Sequence, residues 1–221
     1  MKNLLLIICI SNLFIANAYS FGHADFVELD ANSPVEDMST DHLVSYPSKT
    51  GELNSNIHMR NFTSRDQQKV NLANQILLEI INSEEFKDRV LNFTFKGEKQ
   101  FNDNQGKTNQ QIYDHLMTGS EVLMPGSAGT MNFDLTLYKS KNPWSKVKGY
   151  TKPDTMRIWI NKKFFRKSSW KPRDVAANMM HEWIHKMGYT HDYKYNQDRQ
   201  YTVPYAIGYI LNDIAQELGY E

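Results

Sequence analysis

The chain has 221 residues, 40% of them apolar and 23% charged, a composition that belongs to a folded protein and excludes a disordered or low-complexity one. That length suffices for one domain with a hydrophobic core and a short processed segment. Lys plus Arg and Asp plus Glu number 25 each, so no net field favours nucleic acid or acidic membranes, and no nucleic-acid partner is expected.

Residues 1–18 have the layout of a secretory signal peptide. Lys2 gives a positive start, residues 4–10 are apolar, and Ala16-Asn17-Ala18 supplies the small-x-small cleavage pattern. The stretch is too short, and too interrupted by Ser11, Asn12 and Asn17, to span a bilayer, so stable membrane insertion is not expected. An uncleaved N-terminal anchor is the alternative to cleavage. A secreted or periplasmic location follows. The one cysteine, Cys9, lies in this segment. Cleavage after Ala18 therefore removes the only thiol and excludes a disulfide, a cysteine nucleophile and a cysteine-ligated zinc. Residues 19–62 are polar and weakly periodic, which fits a propeptide, an extended wrap or a disordered leader. The domain proper is expected over residues 63–221.

Ser64 or Asp66 can cap a helix running to about Asn82, with Val70, Ala73, Leu77 and Ile81 as its apolar stripe. Residues 90–95 alternate as a strand would. A polar loop follows over residues 101–107, then a short helix capped by Thr108 or Asn109 and ending near Met117. Pro125, Gly126 and Gly129 mark a turn, after which Met131, Phe133, Leu135 and Leu137 alternate with polar residues in a half-buried strand. Met156, Ile158 and Ile160 predict another strand. Ser168 or Ser169 can cap the next helix, with Pro172 in its first turn. A last helix is expected over residues 204–218, with Ala206, Ile210, Ile214 and Leu218 on one face.

The helix after Pro172 carries His181-Glu182-Trp183-Ile184-His185-Lys186-Met187-Gly188-Tyr189-Thr190-His191. Histidines four apart project from one helix face and can bind one zinc at about 2.0–2.1 Å each. Glu182, beside the first ligand, is placed to take a proton from a water without itself ligating. Gly188 can adopt the left-handed conformation that ends a helix, and the reversed chain brings His191 towards the same metal. By chance, H-E-x-x-H arises in roughly one chain in a hundred, and the added glycine and histidine take that to about one in sixty thousand. The other histidines, His23, His42, His58 and His115, show no ligand spacing and are expected at the surface or in loops.

These positions match the signature H-E-x-x-H-x-x-G-x-x-H, and the sequence resembles the metzincin zinc peptidases over about residues 171–208. The resemblance implies a zincin-like α+β fold: a single domain whose twisted mixed sheet, with an antiparallel edge strand, packs on the active-site helix and a C-terminal helix. It implies Zn2+ on His181, His185 and His191, Glu182 as general base, and substrate along an edge strand, for which residues 155–161 are the candidate. Asp192 also resembles a residue of some members and can fix its loop by accepting backbone N–H bonds. One feature departs from the family: no methionine follows Met187. Thr202-Val203-Pro204-Tyr205 stands where the family's methionine turn would be, with Val203 as its apolar floor. Tyr205 then has the spacing of the tyrosine that steadies the tetrahedral intermediate, while the competing reading makes it a first-turn residue of a packed helix. Phe95-Lys96-Gly97-Glu98 resembles an inhibitory pro-segment or is a plain turn.

The expected function is therefore a secreted zinc metallopeptidase acting on peptides or proteins. The alternatives are a zinc amidase acting on cell-wall peptides or other non-protein amides, and a zinc-stabilised binding protein without catalysis.

Overall fold

A computed structural model describes residues 42–46, 52–126, 129–192 and 196–220. The expected signal segment, Cys9, His23 and the first part of the expected leader lie outside the described residues.

Two strands come from the stretch expected as a leader. β1 (His42–Tyr46) and β2 (Asn54–Arg60) join β3 (Thr130–Tyr138), β4 (Gly149–Thr151) and β5 (Arg157–Asn161) in one five-stranded sheet of order β1-β2-β3-β5-β4. The sheet therefore starts inside residues 19–62, ahead of the boundary expected at residue 62. β2 carries little signal in the sequence because its inward positions are Ser55, Ile57 and Met59, a weak apolar pattern between Asn54, Asn56, His58 and Arg60. β2, β3 and β5 run parallel, and β1 and β4 close the two edges antiparallel. The expected mixed α+β architecture with an antiparallel edge is present, but residues 155–161 are not that edge. β5 is paired on both sides, and the edge beside it is the three-residue β4.

α1 (Ser64–Ile81) is capped by Thr63, not by Ser64 or Asp66. The Asp66 N–H donates to Thr63 Oγ1 at 3.3 Å, and the Thr63 N–H donates back to Asp66 Oδ2 at 3.0 Å. The strand expected at residues 90–95 is replaced by α2 (Glu84–Leu91) and a turn. Ser83 caps that helix and two glutamates occupy its first turn, so Phe86 and Val90 bury as an i, i+4 pair. α3 (Asn109–Thr118) is capped by Thr108 as expected. After the four-residue α4 (Lys162–Phe165), α5 (Pro172–Lys186) starts at Pro172, but Ser168 and Ser169 do not cap it. The Lys171 N–H donates to Asp174 Oδ2 at 2.7 Å in their place. α6 (Val203–Glu217) buries Ala206, Ile210 and Ile214, whereas Leu218, just past its last turn, is 57% exposed.

One face of the sheet, through Ile57, Met59, Phe133, Leu135, Ile158 and Ile160, shares a continuous core with α1, α5 and α6. The other face carries a polar ladder beside a cluster of Tyr138, Tyr150 and Trp159. There Asp134 accepts from Arg60 Nε at 3.2 Å and lies 3.4 Å from His58 Nδ1, so His58 sits on a strand and not in a loop. α5 is buried along most of its circumference, with Val175, Met179, Met180, Trp183 and Ile184 inaccessible. Among the described residues no helix is long and apolar enough to cross a membrane.

Candidate metal centre

The last turn of α5 is closed by a Schellman motif. Tyr189 N–H donates to Ile184 O at 3.3 Å, Gly188 N–H donates to His185 O at 3.0 Å, and Gly188 has φ +94°. The chain doubles back as the spacing predicts, and His191 returns to the face holding His181 and His185. One ligand nitrogen from each ring can be chosen so that all three lie within 4.8 Å of one another.

The pair on the helix is closer still. His181 Nε2 and His185 Nε2 are 3.3 Å apart, and two zinc–nitrogen bonds at a tetrahedral angle set their nitrogens about 3.3 Å apart. Both rings are steered from behind. His185 Nδ1 is 2.8 Å from the Tyr189 carbonyl oxygen, and His181 hydrogen-bonds the Pro204 backbone. These bonds fix each ring so that Nε2 points inwards, which is the outer-shell support of a metal-binding imidazole. The Gly188 reversal thus supplies both the third histidine and the carbonyl that orients the second.

Burial keeps all three rings neutral, the state that binds a cation. It holds His181 well below the ordinary imidazole range, helped by the neighbouring His185 and His191. It brings His185 down to about 3 and His191 to about 4, where the Arg199 guanidinium adds to the effect. Glu182, 1% exposed, moves the other way. Burial pushes its carboxyl up to about 8 against the pull of Lys186 and a hydrogen bond from Asn178. Its Oε1 is buried with no hydrogen-bond partner among the described residues. A buried, partly unsatisfied acid adjoining His181 on the helix that carries two of the imidazoles fits a site that takes a cation and a water.

Tyr205 lies in the first turn of α6, and its ring packs on two of the three imidazoles. The centroid distances are 4.5 Å to His181 and 4.9 Å to His191. The two readings of this residue are therefore compatible. Val203 is buried at the start of the same turn. Arg199, in the 3₁₀ turn Arg199–Tyr201, is 4% exposed, lies 5.0 Å from the Tyr205 ring centroid and hydrogen-bonds its side chain. Neither Arg199 nor Asn178 is identified by the sequence motif. Asn178 has a signal that could have found it, one helical turn before Glu182, whereas Arg199 has none.

Three smaller expectations have structural counterparts. Asp192 is exposed, and its carboxylate accepts from Asn196 Nδ2 at 3.2 Å. Phe95 and Glu98 exchange backbone hydrogen bonds at 2.9 and 3.1 Å around Lys96 and Gly97, both at positive φ, which is a plain hairpin turn. His115 sits within α3, with Nδ1 3.0 Å from the Tyr189 hydroxyl, and so supports the reversal after α5.

No family model matches the chain, and no curated protein matches it.

Proposed function

We propose that this protein is a secreted zinc-dependent peptidase of the metzincin type, with a zincin-like fold. The observation that carries the reading is the pairing of three converging neutral histidines with one buried, partly unsatisfied glutamate. A closed structural site has no use for that acid. His181, His185 and His191 would hold Zn2+, which when bound supplies Lewis acidity and lowers the pKa of a water in its fourth position towards about 7.

Glu182 accepts the proton of the attacking water and delivers it to the leaving amine. Asn178, donating to the same carboxylate, keeps it on this side of the helix. Tyr205 directs its hydroxyl at the developing oxyanion, and Arg199 steadies the phenol by a hydrogen bond. β4, the open strand nearest α5, is the place for an extended peptide to add by backbone pairing. Gly149 at its start approaches Asn178 so closely that a Cβ there would lie 2.6 Å from the amide oxygen.

The test is the zinc content of the purified protein together with casein hydrolysis with and without chelator. One bound zinc and chelator-sensitive hydrolysis support the reading. Zinc without hydrolysis of casein but with release from cell-wall fragments would move the substrate to non-protein amides, and zinc held by four protein ligands would remove catalysis altogether.

A further inference from the structure

The balanced total charge conceals a segregated one. Residues 139–173 hold 12 of the 25 Lys and Arg and a single acid, Asp154, leaving 13 bases against 24 acids elsewhere. The segment folds into one region: the loop after β3, β4, β5, α4 and the start of α5. Lys163 ties the loop to α4 by donating to Pro143 O at 2.6 Å and Ser145 O at 3.4 Å, and Asn161 Nδ2 donates to Val147 O at 3.0 Å. Lys139, Lys141 and Lys146 on the loop and Lys162 and Lys167 at α4 are all exposed. Of these, Lys139, Lys141, Lys162 and Lys167 form no ion pair among the described residues, whereas Arg166 is engaged by Asp66 at 2.5 Å.

At the crest of the loop Trp144 is 86% exposed. The other aromatics of the segment are occupied within the fold. Tyr150 stacks on Trp159 at 4.9 Å, and Trp159, Phe165 and Trp170 are 9, 1 and 7% exposed.

We infer that this basic face docks the protein peripherally on an anionic phospholipid surface, with Trp144 seated at the headgroup level. Lysines around one solvent-exposed tryptophan, with no acid on the loop, are the recognition chemistry of such an interface. Single-stranded nucleic acid fits less well, because its bases need a row of stacking faces and only Trp144 offers one. The docking is independent of the peptidase reading.

The experiment is co-sedimentation of the full chain with vesicles of phosphatidylcholine alone or mixed with phosphatidylglycerol. Binding is expected to the mixed vesicles only and to weaken as salt rises. Each lysine near such a surface contributes roughly fivefold, so K139Q/K141Q/K146Q should lower partitioning about a hundredfold. Trp144→Ala should weaken it severalfold, and the emission of the wild type should shift to the blue on binding. Equal thermal midpoints for the variants and wild type separate lost docking from lost folding. No binding to mixed vesicles at low salt, unchanged binding of the triple variant, or tighter binding to a single-stranded oligonucleotide would overturn the inference.

Discussion

Replacing Glu182 with glutamine should remove turnover and at the same time stabilise the metal-free protein. The carboxyl is fully buried and its pKa rises from the usual 4.5 to about 8. Folding therefore favours its protonated form. The sign follows from linkage: a raised acid contributes no penalty below pH 4.5, and stability is lost as pH climbs from 4.5 through 8. At pH 7 the unfolded carboxyl is ionised while the folded one retains its proton, a cost of about 3 kcal/mol that a neutral glutamine avoids. For a domain of this size, each kcal/mol moves the midpoint by about 2–4 °C. Differential scanning fluorimetry of chelator-treated E182Q and wild type should give nearly equal midpoints at pH 4.5, with the variant higher by several degrees at pH 8. Loss of a general base costs roughly 10²–10⁴ in rate while zinc content stays unchanged. A pH-independent difference in midpoint, or a variant retaining more than a tenth of the activity, would refute the assignment.

Other consequences can be checked alongside. His191→Ala should weaken zinc binding by more than about 100-fold, read by competition with a chromophoric chelator, because only two imidazoles remain. Gly188→Ala places a Cβ at positive φ and 3.2 Å from Val122 Cγ2. It should lower stability by about 1–3 kcal/mol and weaken zinc binding as well, since the reversal sets the third ligand. Tyr205→Phe should lower kcat roughly 10²–10³-fold with KM and zinc content unchanged. Wild-type kinetics there would leave Tyr205 a packing residue. Chelator-treated protein should lose stability as pH falls from 6.5 towards 4, because His185 and His191 accept protons more readily when unfolded; a flat profile would contradict their burial.

The histidine spacing was legible because both of its parts are local: helical periodicity sets two ligands and a left-handed glycine sets the third. β3 and β5 were legible for the same reason, as apolar alternation bounded by turns. What escaped depends on distant partners. β2 has no convincing apolar pattern because its outward residues meet a polar ladder on β3, with Asn56 Nδ2 3.4 Å from Asn132 Oδ1 and Arg60 on Asp134. Residues 90–95 alternate like a strand, yet the cap at Ser83 commits the segment to a helix before the alternation can act. Arg199 reaches the site from a turn held by a distant partner, Asn102, whose N–H donates to Tyr201 O at 2.9 Å.

The position of β2 in the interior of the sheet also limits how such a chain could be matured. β2 pairs in register with residues 130–136 of β3, and β1 depends on β2 in turn. A protease that trimmed the chain at residue 62 would withdraw a central strand and open the layer against which α5 is braced. A trimming cut that keeps β2 in the sheet must fall ahead of Asn54.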